Sequence, residues 1–149
     1  MIGFDILDDP TWLVNLGIDT PLIRADEEKR PLWQMIRSSP EYRNRYHEIL
    51  SMLLDGPLSE GSVEAKVDET EQMLLPWVQK DPTAFCSAEE FETACDTLKE
   101  FLACRTESVR RQLAGELSAD SGQQAREDWT DASDIRLQRM GALILGKGE

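Results

Sequence analysis

The sequence predicts an all-α fold: an antiparallel bundle of three to four helices, with an irregular N-terminal segment and a polar C-terminal tail. Three observations favour it. Apolar residues recur at spacings of three and four through the middle of the chain, which is the period of an amphipathic helix. Capping residues, glycines and prolines mark where these stretches begin and end. The connections between them are short, and short connections place successive helices antiparallel.

The longest helix is predicted from Ser87 to Gly115. Ser87 and Glu90 form a capping box, in which each side chain bonds the backbone amide of the other residue. Gly115 is placed to take the left-handed conformation that ends many helices. Between these ends runs one apolar stripe, made of Phe91, Cys95, Leu98, Leu102, Val109 and Leu113. At 1.5 Å per residue the helix spans roughly 40 Å, so it can serve as the backbone of a small domain.

Two helices are predicted before residue 57. The first is expected from Ala25 to Ser38, because acidic residues occupy its first turn and apolar residues follow at helical spacing. The second opens at Ser39, a capping residue, with Pro40 in the first helical position. Gly56 and the proline after it end this second helix.

A further helix is predicted to open at Ser59 or Ser62. Pro76 lies inside its apolar pattern, where the ring removes a backbone hydrogen bond and clashes with the preceding turn. A kink or a break is therefore expected near Leu75. The dipeptide that begins at Asp81 starts the connection to the long helix.

The two ends of the chain are less regular. We divide the chain into an irregular segment (1–27), a helical domain (28–115) and a mobile or partly helical tail (116–149). A short strand or turn is expected near residues 1–7, and a short helix from Asp134 to Leu145. The apolar run Trp12–Leu16 needs a packing partner. It either covers the helices that follow or belongs against a part of the protein absent here.

The net charge of −13 is large for 149 residues. It argues against binding to nucleic acid, which needs a basic surface, and against an anionic membrane surface. Neither a signal peptide nor a transmembrane segment is recognised, so a cytoplasmic location is the default expectation. The three cysteines, Cys86, Cys95 and Cys104, lie on or beside one helix without metal-binding spacing, and reduced packing thiols are expected.

Residue chemistry predicts no catalytic, cofactor-binding or metal-binding residue. The single histidine, His47, lacks the second histidine of a zinc-protease helix and is expected to face solvent or pair with a neighbouring helix. No glycine-rich phosphate loop is present. The aromatic residues lie at helical spacing with aliphatic ones, which favours core packing.

Three stretches carry a family resemblance. Arg30–Ser59 contains PEYRNRY, Val67–Phe85 contains an Asp-Pro turn before an aromatic residue, and Phe91–Gly115 follows the pattern F…LKxF…RxxxVxxQL. In this order and spacing, they resemble the helical C-terminal region of the CotH (spore-coat protein H) kinase family. The resemblance covers about residues 28–115.

The resemblance implies an atypical protein kinase that uses ATP and a divalent metal to phosphorylate proteins such as other spore-coat components. The family's nucleotide-binding lysine, catalytic aspartate and metal-binding residues lie upstream of the matched region. Asp5 is the one candidate counterpart, but the family's Asp-x-Asp pattern and following Phe-Gly are absent around it, so we assign it no metal role.

Three hypotheses follow. The leading one is the helical C-terminal subdomain of a CotH-like kinase, inactive as this chain, whose partner is a missing N-terminal kinase core. The exposed apolar residues expected in 1–24 motivate it. The alternative is a stand-alone acidic helical module that binds a basic protein. The third is an active phosphotransferase that uses Asp5 and nearby acids. No cofactor is expected for this chain itself.

Overall fold

The computed structural model describes residues 9–20 and 31–140, and every regular element in these ranges is helical. It has five α-helices: α1 (Pro10–Val14), α2 (Pro31–Ser38), α3 (Pro40–Asp55), α4 (Ser62–Val78) and α5 (Ala88–Ala114). Three short 3-10 helices follow: Ser121–Gln123, Arg126–Asp128 and Leu137–Met140. The predicted all-α fold is confirmed.

Helix α5 is the element on which α1, α3, α4 and the 3-10 helix Leu137–Met140 pack, whereas α2 packs on α3. Both predicted caps of α5 are present. Ser87 Oγ accepts a hydrogen bond from the Glu90 amide at 3.2 Å, and the Ser87 amide donates to Glu90 Oε2 at 2.8 Å. Gly115 follows the last helical residue with φ of +77°, a conformation that costs glycine little.

The long helices run in alternating directions. Lys99 of α5 pairs with Asp68 of α4 at 2.8 Å, and Cys95, one turn earlier in α5, lies near Glu71, later in α4. The two helices are therefore antiparallel. In α3, Asp55 contacts Arg110 near the end of α5, so α3 runs in the same direction as α5. This is the up-down-up order that short connections predicted.

Helices α3 and α4 each begin directly after a residue whose hydrogen bonds cap the first turn. Ser39 caps α3 by accepting the Tyr42 amide, and Gly56 follows its last residue. Helix α4 opens at the second of the two predicted serines, Ser62. It follows Gly61, which has φ of +81° and whose amide donates to Glu64 Oε2 at 2.7 Å.

Pro76 does not break α4, which continues to Val78. The last turn keeps a backbone bond past the proline, from the Gln79 amide to the Leu75 carbonyl at 3.0 Å. The predicted break at Pro76 is therefore wrong. The proline lies about one turn from the end of α4, where few backbone hydrogen bonds of the helix remain to be disrupted.

Two small apolar clusters form the core. One contains Val14, Ala132, Ile135 and Leu137, packed against partly buried Leu13, Phe101, Cys104 and Met140. The other contains Ile18, Leu54 and Val109, packed against Tyr46, Leu50, Leu113 and Ala119. The apolar run Trp12–Leu16 thus packs on the helices of this chain, which is the first of the two alternatives.

Residues 116–140 contribute to this core. Leu117, Ala132, Ile135 and Leu137 are buried, although the polar composition of this region predicted a mobile tail. A few apolar residues, widely spaced and without helical period, cover α5 here, and such a pattern gives no periodic signal in the sequence. The 3-10 helix Leu137–Met140 lies within the short helix expected from Asp134 to Leu145.

Several predictions fall on residues outside the described ranges: the strand or turn near residues 1–7, the role of Asp5, the first turn of the helix expected from Ala25, and the end of the helix expected to reach Leu145. The division of the chain at residues 28 and 116 stays a prediction. No helix in residues 9–20 and 31–140 has both the length and the hydrophobicity needed to cross a membrane.

Candidate functional site at the anchored N-terminal segment

The segment Asp9–Thr20, called the anchored segment below, lies across the second half of α5. It begins with α1, because Asp9 Oδ1 accepts the Trp12 amide at 2.9 Å and Pro10 occupies the first helical position. After Val14 the chain leaves the helix and continues without regular structure. The expected irregular segment therefore contains one short helix.

Asn15 is the buried polar residue that ties the anchored segment to the rest of the fold. Its Nδ2 donates to the carbonyls of Thr11 and Thr130, both at 2.8 Å. Its Oδ1 accepts from the Thr130 amide at 2.9 Å and from Ser108 Oγ at 3.1 Å. The side chain thus joins three parts of the chain and uses its full hydrogen-bonding capacity.

Two polar side chains of α5 bind the backbone of the anchored segment directly. Arg105 Nη1 donates to the carbonyls of Val14 at 2.8 Å and Leu16 at 2.6 Å. Gln112 Oε1 accepts the Ile18 amide at 2.8 Å. These bonds satisfy backbone groups of a non-helical stretch that would otherwise be buried without partners.

The end of the anchored segment is held by residues that follow α5. The Asp19 amide donates to the Ala119 carbonyl at 2.8 Å, and the Gly17 amide donates to Ser121 Oγ at 2.7 Å. Gly17 has no room for a side chain, since a Cβ there would lie 2.6 Å from the Ser121 amide nitrogen. The approach of the two backbones therefore requires glycine at this position.

Asp19 also connects the anchored segment to α2 and α3. Its Oδ1 lies 2.9 Å from His47 Nε2, and its carbonyl accepts from Arg37 Nε at 2.9 Å. Tyr46 donates its hydroxyl to the Ile18 carbonyl at 3.3 Å. His47, expected to face solvent or a neighbouring helix, instead binds this non-helical segment, whose path the sequence pattern did not predict.

An apolar cleft of about 470 Å³ opens beside the anchored segment, between α3 and α5. Its wall is mostly aliphatic, with Trp33 of α2, Tyr46 of α3 and Arg105 of α5 among its lining residues. Trp33 and Tyr46 meet edge to face, with ring centroids 5.6 Å apart. The volume is within the usual range of ligand pockets.

Burial changes the acid–base properties of the two polar residues of the cleft. Desolvation raises the pKa of Tyr46, and nearby Asp19 adds to this effect while Arg105 opposes it. Desolvation lowers the pKa of the Arg105 guanidinium, which the Tyr46 side chain partly offsets. Tyr46 is therefore a neutral hydroxyl donor at physiological pH, and Arg105 acts through charge-assisted hydrogen bonds to carbonyls.

Within residues 9–20 and 31–140, no three His, Cys, Asp or Glu side chains are grouped so that they could hold a metal ion. The predicted absence of catalytic, cofactor-binding and metal residues stays a prediction. In the described residues, side chains of α5 hold the non-helical part of the anchored segment in place through hydrogen bonds to its backbone.

The comparison with protein families decides the affiliation of this chain. The family model described as "CotH kinase protein" matches residues 15–109, which is most of the chain and runs from the anchored segment into α5. The chain belongs to the CotH kinase family. Neither the curated proteins nor the solved structures contain a match to it.

The sequence motifs that resemble the CotH family converge on the anchored segment. In the pattern RxxxVxxQL, Arg105 and Gln112 bind its backbone and Val109 packs on Ile18. In PEYRxRY, the final tyrosine, Tyr46, donates to the Ile18 carbonyl. The structure thus gives these motif residues of the CotH chain one shared role.

Sequence reasoning missed the buried polar residues Asn15, Ser108 and Gln112 as a group. A signal existed for two of them. Ser108 and Gln112 are four residues apart, and Arg105 precedes Ser108 by three, so all three lie on one face of α5. This face borders the apolar stripe of α5, so its polar side chains lie where a segment packed on α5 meets them. For Asn15, no periodic signal was available.

Proposed function

We propose that this chain is the helical subdomain of a CotH-like protein kinase and that it supports an ATP-dependent kinase core rather than catalysing phosphoryl transfer itself. The family match over residues 15–109 supports this proposal most strongly. We assign the binding of ATP and a divalent metal to the complete kinase, because phosphoryl transfer needs groups that hold the phosphates and neutralise developing charge.

The anchored segment supports this role. In the CotH resemblance, the residues that hold nucleotide and metal lie upstream of the matched region, so the anchored segment is the path by which a kinase core is joined to the helices. Buried side chains of α5 fix that path. A core joined here has a defined position relative to α5, and defined positioning is most of what a phosphotransferase requires from its scaffold.

Helices α2 and α3 supply the surface that we assign to the kinase core. Leu32 is 72% exposed and Met35 47% exposed, both on the helix next to the anchored segment. Exposed apolar residues in a group are typical of surfaces that another protein covers. The expectation of exposed apolar residues in 1–24 is corrected for Val14 and Ile18, which are buried because they pack on this chain's own helices.

Binding to a kinase core tests the proposal. The core of a CotH-family kinase, with its own helical region removed, is titrated with this chain by isothermal calorimetry. We expect a complex with one copy of each. Leu32→Asp should weaken it, because the aspartate places a charge in an apolar interface. Trp77→Asp is the matched control, since Trp77 is 71% exposed on the distant helix α4. No binding, or equal weakening by both variants, contradicts the proposal.

A stand-alone acidic interaction module is the second candidate. One observation favours it: α4 exposes large apolar side chains in a strongly acidic part of the chain. The two candidates differ in the surface that binds the partner. For the kinase subdomain it is on α2 and α3, and for the stand-alone module it is on α4. The third hypothesis, phosphotransfer through Asp5, concerns a residue outside the described ranges, and nothing in the described residues favours it.

A further inference from the structure

The outer surface of α4 exposes large apolar side chains. Met73 is 61% exposed and Trp77 is 71% exposed, and the two lie one helical turn apart. Phe85 lies in the connection between α4 and α5 and is 98% exposed. We call Met73 and Trp77 the α4 surface, and Phe85 lies beyond the C-terminal end of α4. Tryptophan, methionine and phenylalanine are enriched at protein interfaces, where the large rings supply much of the binding energy.

Acidic residues dominate the chain around the α4 surface. Between residues 62 and 92 there are eight Asp or Glu and only two Lys. Lys66 pairs with Glu69 and Lys99 of α5 pairs with Asp68, both at 2.8 Å, so two of the eight carboxylates are balanced locally. The excess of negative charge comes from the other six. Exposed Glu89, one of the eight, is in the first turn of α5 and lies close to the end of α4, because the two helices are antiparallel neighbours. The resulting negative potential attracts cationic partners and repels anionic ones.

The α4 surface is separate from the site described above. The end of α4 that carries Met73 and Trp77 lies beside the first half of α5, since Asp68 meets Lys99 and the later residue Glu71 lies near Cys95. The anchored segment is held by Arg105 and Gln112 in the second half of α5. A kinase core joined through the anchored segment therefore leaves the α4 surface available. Binding at the α4 surface is independent of the proposed function, since it needs no contact with a kinase core.

We propose that the α4 surface binds a basic amphipathic helix of another protein. Such a helix places apolar residues at spacings of three and four against Met73 and Trp77, and its lysines and arginines meet the acidic residues around them. A second copy of this chain fits poorly, because its net charge of −13 would bring like charges together.

Binding of a defined peptide tests the proposal. The probe is a fluorescein-labelled peptide of leucine and lysine, about 18 residues or five helical turns long, with its leucines on one helix face. Its matched partner has the same composition with the leucines scattered around the helix. We expect the amphipathic peptide to raise anisotropy at lower concentrations of chain than the scattered one does. Added salt should weaken its binding, because salt screens exposed charges.

Variants of the chain locate the binding surface. Met73→Ala and Trp77→Ala together should weaken peptide binding by roughly tenfold or more, as loss of central interface residues usually does. Met52→Ala is the matched control, because Met52 is 67% exposed but lies on α3. It should leave the affinity unchanged. All these side chains are exposed, so the melting temperature should stay close to that of the natural chain.

Four outcomes would overturn the proposal. These are equal binding of the two peptides, affinity that does not respond to salt, equal loss in the Met52→Ala chain, or no loss in the Met73→Ala, Trp77→Ala chain. Sedimentation of the chain alone tests whether a second copy of the chain binds the α4 surface instead. A dimer that Trp77→Ala dissociates, without peptide binding, would assign the α4 surface to a second copy.

Discussion

Ser108 on α5 donates a buried hydrogen bond to the side chain of Asn15, with 3.1 Å between Ser108 Oγ and Asn15 Oδ1. This bond joins residues far apart in the chain, and the same Asn15 oxygen also accepts the Thr130 amide. The anchored segment, the long helix and the region after it therefore meet at one amide group. Because the group is buried, its partners have no water to replace it.

Asn15→Ala should destabilise the fold by roughly 2 to 4 kcal/mol. The change removes side-chain partners of the Thr130 amide and carbonyl, whereas the Thr11 carbonyl keeps its bond from the Asn15 backbone amide. Each buried group left unsatisfied costs about 1–3 kcal/mol. Urea unfolding followed by circular dichroism measures the loss. Asn44→Ala, at an exposed position of α3, is the control and should change the free energy of unfolding by less than about 0.5 kcal/mol. Similar values for the two variants would contradict the role of Asn15.

Gly17→Ala should destabilise the fold by about 1–3 kcal/mol, the usual cost of forcing an extra carbon into a packed site. The added Cβ would meet the Ala119 carbonyl and lie 2.6 Å from the Ser121 amide nitrogen, so the backbone must move. In Gly122→Ala, the nearest atom is a flexible one, Asp120 Oδ1 at 3.3 Å. Thermal denaturation compares the two variants. If Gly17→Ala has the same melting temperature as the natural chain, the close contact between Gly17 and the backbone of Ala119 and Ser121 is contradicted.

Arg105→Met should release the anchored segment while leaving α4 in place. The Val14 carbonyl loses its bond from Arg105, and the Leu16 carbonyl keeps only the longer bond from Gln112 Nε2 at 3.5 Å. We expect this loss to cost about 1–2 kcal/mol. Hydrogen exchange read by mass spectrometry should show faster exchange in residues 13–19 and unchanged exchange in α4. Arg45→Met is the control, because Arg45 pairs with Glu48 on the exposed face of α3. Uniformly faster exchange along the chain would mean that Arg105 supports the whole fold instead.

The capping box of α5 should make stability depend on pH in the acid range. Hydrogen bonds with Ser87 lower the pKa of Glu90 in the folded chain below its ordinary value. A lowered folded-state pKa contributes stability that is present above the ordinary carboxyl pKa of about 4.3 and is lost as the pH falls through the folded value. Glu90→Gln should therefore lower the melting temperature at pH 7 and have a smaller effect near pH 3.

Melting curves of the natural and Glu90→Gln chains across this pH range measure the difference. Glu92→Gln is the control, because Glu92 is exposed two residues along α5 and takes no part in the capping box. A gap between natural and Glu90→Gln chains that stays constant from pH 7 to pH 3 would contradict the assignment to the carboxylate.

Local sequence signals were enough to predict the bounds of helices α3 and α5. The ends of α5 are set by Ser87, Glu90 and Gly115, whose capping chemistry acts within a few residues. The same holds for α3, with Ser39 before it and Gly56 after it. Each of these signals depends on neighbours in the chain, so it can be identified without the tertiary structure.

The anchored segment could not be predicted in the same way. Asn15 and Thr130 are distant in the sequence, and each gains its role only when α5 brings the two regions together. His47 was placed wrongly for the same reason, since its partner Asp19 belongs to a stretch without periodicity. Arg105 and Gln112 were found within a family motif, but the contact that explains them lies outside that motif.

Phosphoryl transfer by a reconstituted kinase tests whether this chain supports a kinase core. A CotH-family core without its helical region, this chain, and a mixture of the two are each given labelled ATP, Mg²⁺ and a protein substrate of that family. We expect label in the substrate only with the mixture, and less label when Leu32→Asp replaces the natural chain. Label transferred by this chain alone, or no gain on mixing, would contradict the proposal.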